Sequence, residues 1–160
     1  MPEPVFEVCD LREHQQFCDA VADRAWKAWW RDRGYPLDLI AGLVQSNLAG
    51  RPVPFCVVAH RGDVFLGTAS LIAADLEERP DLTPWVAGVW VDAEYRRQGV
   101  GGALVRKALE LAGQRGNPSP DLCAANAKRS FYKGLGWALI EENVGPDALD
   151  GFRWPGGNNP

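Results

Sequence analysis

The chain is predicted to fold as a mixed α/β domain, and three observations carry that expectation. Apolar, strand-like runs alternate with amphipathic, helix-like ones in the order strand, two helices, three strands, helix, strand, helix, strand. Arg61-Gly62-Asp63 joins two strand-like runs as a tight turn, so part of the sheet is antiparallel. Farther on, a strand runs through a glycine-rich turn into an amphipathic helix and then to another strand, which is the order of a crossover.

Val5 to Cys9 is the first strand. Asp10 offers an N-cap with Glu13 three residues later, and a helix follows with Phe17, Val21 and Ala25 on one face. Trp26, Trp29, Trp30 and Tyr35 crowd the next segment until Pro36 interrupts it. Asp38 is placed to cap a second helix, with Leu39, Leu43, Val44 and Leu48 as its apolar stripe and Gly50 at its end. Phe55 to His60 and Val64 to Ala73 are the hairpin strands. A polar connection, Asp75 to Thr83, leads to a central strand, Trp85 to Val91, which is apolar on both faces. The next helix carries Val100, Leu104, Ala108 and Leu111 on one face, and Gly116 stops it. Asp121 to Ala124 is a short strand, Ala127 to Leu135 a short helix and Trp137 to Glu142 a further strand, before a brief last strand at Phe152 to Trp154. One domain over residues 1–155 with a flexible tail at 156–160 is expected.

Composition narrows the function. Formal net charge is −4 over 160 residues, which argues against nucleic-acid binding. No apolar run is long enough to span a bilayer, and Met1 to Asp10 lacks the basic start and apolar centre of a secretory signal. Cys9, Cys18, Cys56 and Cys123 form no C-x-x-C pair and read as buried free thiols, which fits a reducing cytoplasm. His14 and His60 are far apart in sequence and belong to no ligand-spaced cluster, so no metal is expected.

The informative stretch is Val91 to Gly102. A strand, a glycine-rich turn and a helix start together form an anion site: backbone N–H groups point inward, and the helix N-terminus adds about half a positive charge. No Lys-Ser or Lys-Thr follows the glycines, so the loop is not the phosphate loop G-x-x-x-x-G-K-S/T. Leu104 occupies the third glycine place of a dinucleotide fingerprint and obstructs it. A nucleotide-binding reading is therefore weak. The pattern that fits is R-x-x-G-x-G, through Arg96, Gly99 and Gly101. It resembles the acetyl-coenzyme A loop of the GCN5-related N-acetyltransferase (GNAT) family. A second stretch, Asn126 to Trp137, resembles that family's late segment N-x-x-x-x-F-Y-x-x-x-G-F/W, with Phe131 expected to anchor the short helix in the core and Tyr132 to point from the neighbouring face. The resemblance covers roughly Phe55 to Glu142; the N-terminal helices match only in type.

The resemblance implies a mostly antiparallel sheet of six to seven strands flanked by about four helices, splayed between the fourth and fifth strands, with acetyl-CoA in the gap. It implies transfer of an acetyl group to a primary amine, on a small molecule or a peptide, by direct attack in a ternary complex. Arg96, Arg97, Gln98, Gly99, Val100, Gly101 and Gly102 would hold the pyrophosphate. The Val89-Trp90-Val91 segment would pair with the pantetheine arm through Val89 and Val91, and Asn126 would contact the cofactor from the opposite wall. Tyr132 would be the general acid. The glutamate that such enzymes often carry on the central strand is missing, and Asp75 and Asp81 stand as candidate bases. The missing acid also leaves a second reading, a non-catalytic acyl-CoA-binding sensor or interaction module on the same fold. Trp26, Trp29, Trp30 and Tyr35 fit either a cover over the acceptor or ordinary core packing. The short last strand leaves the acceptor site either open or completed by a second subunit in a homodimer.

Overall fold

A computed structural model describes residues 5–156; most of the tail expected to fray lies outside the described residues. Seven strands form one sheet: β1 (Glu7–Asp10), β2 (Phe55–Arg61), β3 (Val64–Ile72), β4 (Trp85–Val91), β5 (Asp121–Ala124), β6 (Ala138–Val144) and β7 (Leu149–Arg153). Their spatial order is β1-β2-β3-β4-β5-β7-β6. Every neighbouring pair is antiparallel except β4 and β5, which are parallel and joined across α3 (Val100–Gln114). The other helices are α1 (Cys18–Ala25), α2 (Leu37–Ser46) and α4 (Arg129–Gly134).

β2 is buried on both faces, so its side chains feed two cores. Val57 and Phe55 meet Leu104, Val105 and Ala108 of α3, together with Val86 and Leu122. Cys56 and Val58 meet Phe17, Val21 and Val44 from the α1–α2 side. Leu104 and Val105 are fully buried, and such side chains stabilise the fold by roughly 1.5–3 kcal/mol each. No helix among the described residues is long and apolar enough to cross a membrane.

The first helical segment differs in detail from the sequence expectation. Asp10 caps a short 3-10 turn, Leu11–Glu13, by accepting from the Arg12 N–H at 2.9 Å. Its carboxylate also pairs with Arg115 at 2.8 Å, tying this turn to the end of α3. Asp38 is not a cap: Pro36, in extended conformation, holds that place, and Asp38 lies in the first turn of α2. α2 buries Ile40 and Val44 but leaves Leu39 and Leu43 exposed; of these two, Leu43 lines an opening and Leu39 does not. The last strand begins at Leu149, earlier than expected, and lies between β5 and β6.

The opening arises where β4 and β5 separate. They pair only at Trp85 with Asp121 and Val86 with Leu122, after which nothing joins them. β4 also carries a bulge. Thr68 faces Trp90 and Ser70 faces Ala87, so Gly88 and Val89 stand opposite the single residue Ala69. Gly88 takes φ +62°, which glycine adopts without strain. The extra residue reverses the phase of the strand. Before it, Pro84 O accepts from the Asp121 N–H on the β5 side; beyond the strand's end, the Asp92 N–H donates to Leu66 O on the β3 side. Alternation between these points turns the main-chain groups of Val89 and Val91 toward the gap.

Candidate active site

The gap widens into a cleft of about 1770 Å³, bounded by β4, the loop before α3, β5, α4 and the aromatic segment after α1. Val89, Trp90, Val91, Arg96, Arg97, Gly99, Val100, Gly101 and Gly102 all line it.

The loop follows from local conformation. Arg97 and Gly99 have φ +62° and +83°, turning the chain so that α3 begins at Val100 with no side-chain cap. The Ala103 N–H donates to Gly99 O, so the preceding N–H groups at the start of α3 have no helical acceptor. They lie at the positive end of a 15-residue helix, beside the open cleft. A Cβ on Gly101 would stand 3.4 Å from Phe131 Cζ and 3.7 Å from Val91 Cγ2, so a larger side chain must project into the cleft. The arginines differ in role. Arg96 Nε donates to Val91 O at 2.8 Å while its guanidinium covers the Trp90 ring at 4.9 Å. Gln98 is turned away from the cleft lining and donates to Glu94 O.

On the other wall stand Tyr132, Cys123 and Asp75. The sequence expectation for Phe131 and Tyr132 is reversed. Tyr132 is 6% exposed and packs between Trp137 and Phe152, whereas Phe131 is 40% exposed and lines the cleft against Gly101. Burial, then the nearby Cys123, push the Tyr132 phenol up to about 12. Cys123 Sγ donates to Asp75 Oδ2 at 3.3 Å. The crowding cleft wall raises the Asp75 pKa by desolvation, and the thiol's hydrogen bond opposes the shift. Burial, then the Asp75 charge, push the Cys123 thiol well above its ordinary value, and the side chain is half-buried on the cleft wall rather than enclosed in a core as the sequence suggested.

Two other sequence candidates lie elsewhere. Asp81 is exposed outside the cleft lining. Asn126 also lies outside it and donates to Asp150 Oδ1 at 2.9 Å and to Ala148 O. Arg129 grips the same buried carboxylate through Nε at 2.8 Å and Nη2 at 2.9 Å. Asn126 and Arg129 thus fasten the start of α4 to β7, which sets the height of Tyr132 in the cleft.

Aromatic and acidic side chains also line the cleft. A wide helical turn, Trp26–Trp30, follows α1. Trp29 stands edge-on to Trp90 at 6.3 Å, and Trp30 edge-on to Tyr35 at 5.3 Å. Trp29, Trp30 and Tyr35 line the cleft, while Trp26 serves as an anchor by donating to Tyr35 O at 2.7 Å. Asp75, Glu77, Glu78 and Asp147 line the cleft too, with Arg33 near Asp147. Arg96, Arg97 and Lys128 line the cleft as well, and Arg96 and Trp29 both pack on Trp90, so basic and aromatic side chains adjoin there.

A model of the family described as "Acetyltransferase (GNAT) domain" matches residues 52–139, more than half of the chain. The chain belongs to the GNAT family. No curated protein matches it. Among solved structures, yncA from Salmonella typhimurium, determined with its cofactor acetyl-CoA, is similar at TM-score 0.71 and 16% identity over 93% of this chain and 91% of that one. An aminoglycoside 6'-N-acetyltransferase complexed with coenzyme A gives 0.69 and 16%, over 92% and 94% of the two chains. Escherichia coli ElaA gives 0.68 and 19%, over 92% and 98%. At these identities the likeness is one of fold. The matched GNAT segment includes the loop, β5, Cys123 and α4, but Trp29, Trp30 and Tyr35 lie outside it. Sequence reasoning missed Phe131 and Cys123 as cleft residues. For Cys123, an unpaired thiol two residues into a strand beside the expected gap was the available signal.

Proposed function

We propose that this GNAT protein transfers the acetyl group of acetyl-CoA to a primary amine by direct attack in a ternary complex. The observation that supports it best is the uncapped start of α3 opening into the splay between β4 and β5. The N–H groups from Arg97 to Gly102 would hold the pyrophosphate, with Arg97 adding charge. The pantetheine arm would pair with β4 at Val89, where main-chain groups face the gap; the Val91 carbonyl already accepts from Arg96, leaving its N–H. An N–H of this bulged edge would bind the oxyanion as the thioester carbonyl is attacked.

Asp75 is the proposed base. An alkyl amine with a pKa of about 10.4 is mostly charged at neutral pH, and a desolvated carboxylate is better suited than an exposed one to accept its proton. Tyr132 is the proposed acid. Its high pKa keeps the phenol protonated and makes full transfer to a thiolate of about 8.5 uphill, so its contribution is a hydrogen bond that grows with charge on the departing sulfur. Direct attack is favoured over an acyl-cysteine route because Cys123 holds its proton toward Asp75. The acidic and aromatic side chains that line the cleft suit a small cationic amine, and an aminoglycoside and a diamine are the first acceptors to try.

The test is free-thiol release from acetyl-CoA across a panel of amines, with the acetylated product identified by mass. Product formation with any amine supports the enzyme. Tight acetyl-CoA binding with no turnover on any amine would favour the sensor reading.

A further inference from the structure

Away from the cleft, the β1 edge brings together residues that the sequence keeps apart. Ligand atoms of Cys9, His14 and His60 all lie within 4.8 Å of one another. The reason is topological. β2 returns antiparallel to β1, setting Glu7 opposite His60 and Cys9 opposite Val58, so Glu7, Cys9 and His60 share one face. The chain after Asp10 then folds back over that face in two short 3-10 turns. This places the His14 ring 4.5 Å from the His60 ring, with Phe17 at 5.2 Å as an apolar wall. The expectation that the two histidines are unrelated is thereby corrected.

His60 is 3% exposed, and its Nδ1 lies 3.0 Å from Gly62 O. A carbonyl only accepts, so Nδ1 is the donor in this contact, which leaves Nε2 as the ring atom that can take a metal ion. That atom is buried and has no hydrogen-bond partner among the described residues. Glu7 Oε2 faces it at 3.6 Å. Either a proton or a metal ion between them satisfies both atoms.

We propose that Cys9, His14 and His60 form a zinc(II) site, with Glu7 or water as the fourth donor. One thiolate and two imidazoles suit this metal, and the Gly62 carbonyl already plays the part of the outer partner that orients a metal-bound imidazole. Zinc bonds of about 2.0–2.3 Å require the donors to close by roughly an ångström, a movement permitted by the turn that carries the half-buried His14 between exposed Glu13 and Gln15. On binding, the Cys9 S–H bond breaks, the thiolate forms the zinc–sulfur bond and the proton leaves to solvent. The ion would clamp β1, β2 and the turn after β1 together. None of the three residues lines the acetyl-CoA cleft.

The full-length protein, treated with chelator, is titrated with cobalt(II) and then zinc(II). The expected result is a thiolate-to-cobalt charge-transfer band that saturates at a single ion per chain and is bleached by zinc, with a rise in melting temperature. Cys9→Ser loses the band, Cys9→Ser and His14→Ala each lose the zinc-dependent rise, and both variants remain folded by circular dichroism and bind acetyl-CoA as wild type does. Absence of the band in folded wild type overturns the proposal, as does a band that survives in Cys9→Ser or a zinc shift retained in both variants. If no band forms and Glu7→Gln alone lowers the melting temperature, a proton shared by Glu7 and His60 takes the place of the metal, which also overturns it.

Discussion

Cys123 Sγ donates to Asp75 Oδ2 at 3.3 Å, a bond that links β5 to the connection entering β4. It places a carboxylate with a raised pKa beside the thiol. The sign of the linkage is opposite to that of a paired surface acid. The folded chain binds this proton more tightly than the unfolded chain, so a destabilising contribution grows as pH rises from the ordinary carboxylate range and is complete above the folded pKa. Asp75→Asn keeps an acceptor for the thiol and removes the desolvated charge. Its melting temperature at neutral pH should equal or exceed that of wild type while kcat falls. In wild type, the acid limb of the kcat profile should lie above the usual carboxylate range. Full turnover in Asp75→Asn would remove it as the base.

Tyr132→Phe separates chemistry from packing. The ring is held by Trp137 and Phe152, and its hydroxyl has no hydrogen-bond partner among the described residues, so the substitution should leave the fold intact. Turnover is expected to drop by about a hundredfold with acetyl-CoA affinity unchanged. Steady-state kinetics beside calorimetric titration reads both quantities. Equal kcat would show that solvent protonates the leaving thiolate.

Gly101→Glu tests the anion loop. The new Cβ has just enough room beside Phe131 and Val91, so the helix start should survive, but the carboxylate would project into the space proposed for the pyrophosphate. Calorimetry should find no acetyl-CoA binding to a protein whose circular dichroism matches wild type. Gly101→Ala should bind more weakly than wild type but still measurably. Wild-type affinity in Gly101→Glu would count against the loop assignment.

Much of this architecture is legible in the residues, for identifiable reasons. β4 and β5 begin and end where expected because Pro84 and Pro120 precede them, Asp92 closes the apolar run of β4, and Asn126 follows β5 after one alanine. The loop is legible because its proposed function needs missing side chains, and missing side chains show in a sequence. Phe131 and Tyr132 are interchanged because a six-residue helix has an aromatic on each of two adjoining faces, and hydropathy does not distinguish a core from a ligand cleft. The same ambiguity hid the exposure of Leu39 and Leu43 on α2. A glycine was visible at position 88, but not the bulge that turns Val89 and Val91 toward the gap, because register is set by pairing with β3. The contacts of Asp75 with Cys123 and of Asn126 with Asp150 join distant parts of the chain, beyond the reach of any local pattern.

The close approach of β3 to β4 gives the last prediction, in which one chemical change has opposite signs at two sites. A Cβ on Gly67 would lie 2.5 Å from Trp90 O and 3.0 Å from Leu104 Cδ1. The oxygen belongs to a central strand paired on β3, and Leu104 is fully buried, so neither neighbour can retreat without moving β4. Gly67→Ala should therefore destabilise the protein by about 1–3 kcal/mol through overpacking. Displacing β4 should also weaken acetyl-CoA binding, although Gly67 does not line the cleft. Gly42, within α2, has open space where its Cβ would stand. Gly42→Ala removes only backbone freedom and should stabilise by about 0.5–1 kcal/mol. Urea unfolding of the two variants, with acetyl-CoA titrations alongside, measures both effects. A Gly67→Ala protein as stable as wild type would mean that β4 is free to shift, and with it the bulged edge on which the proposed thioester geometry depends.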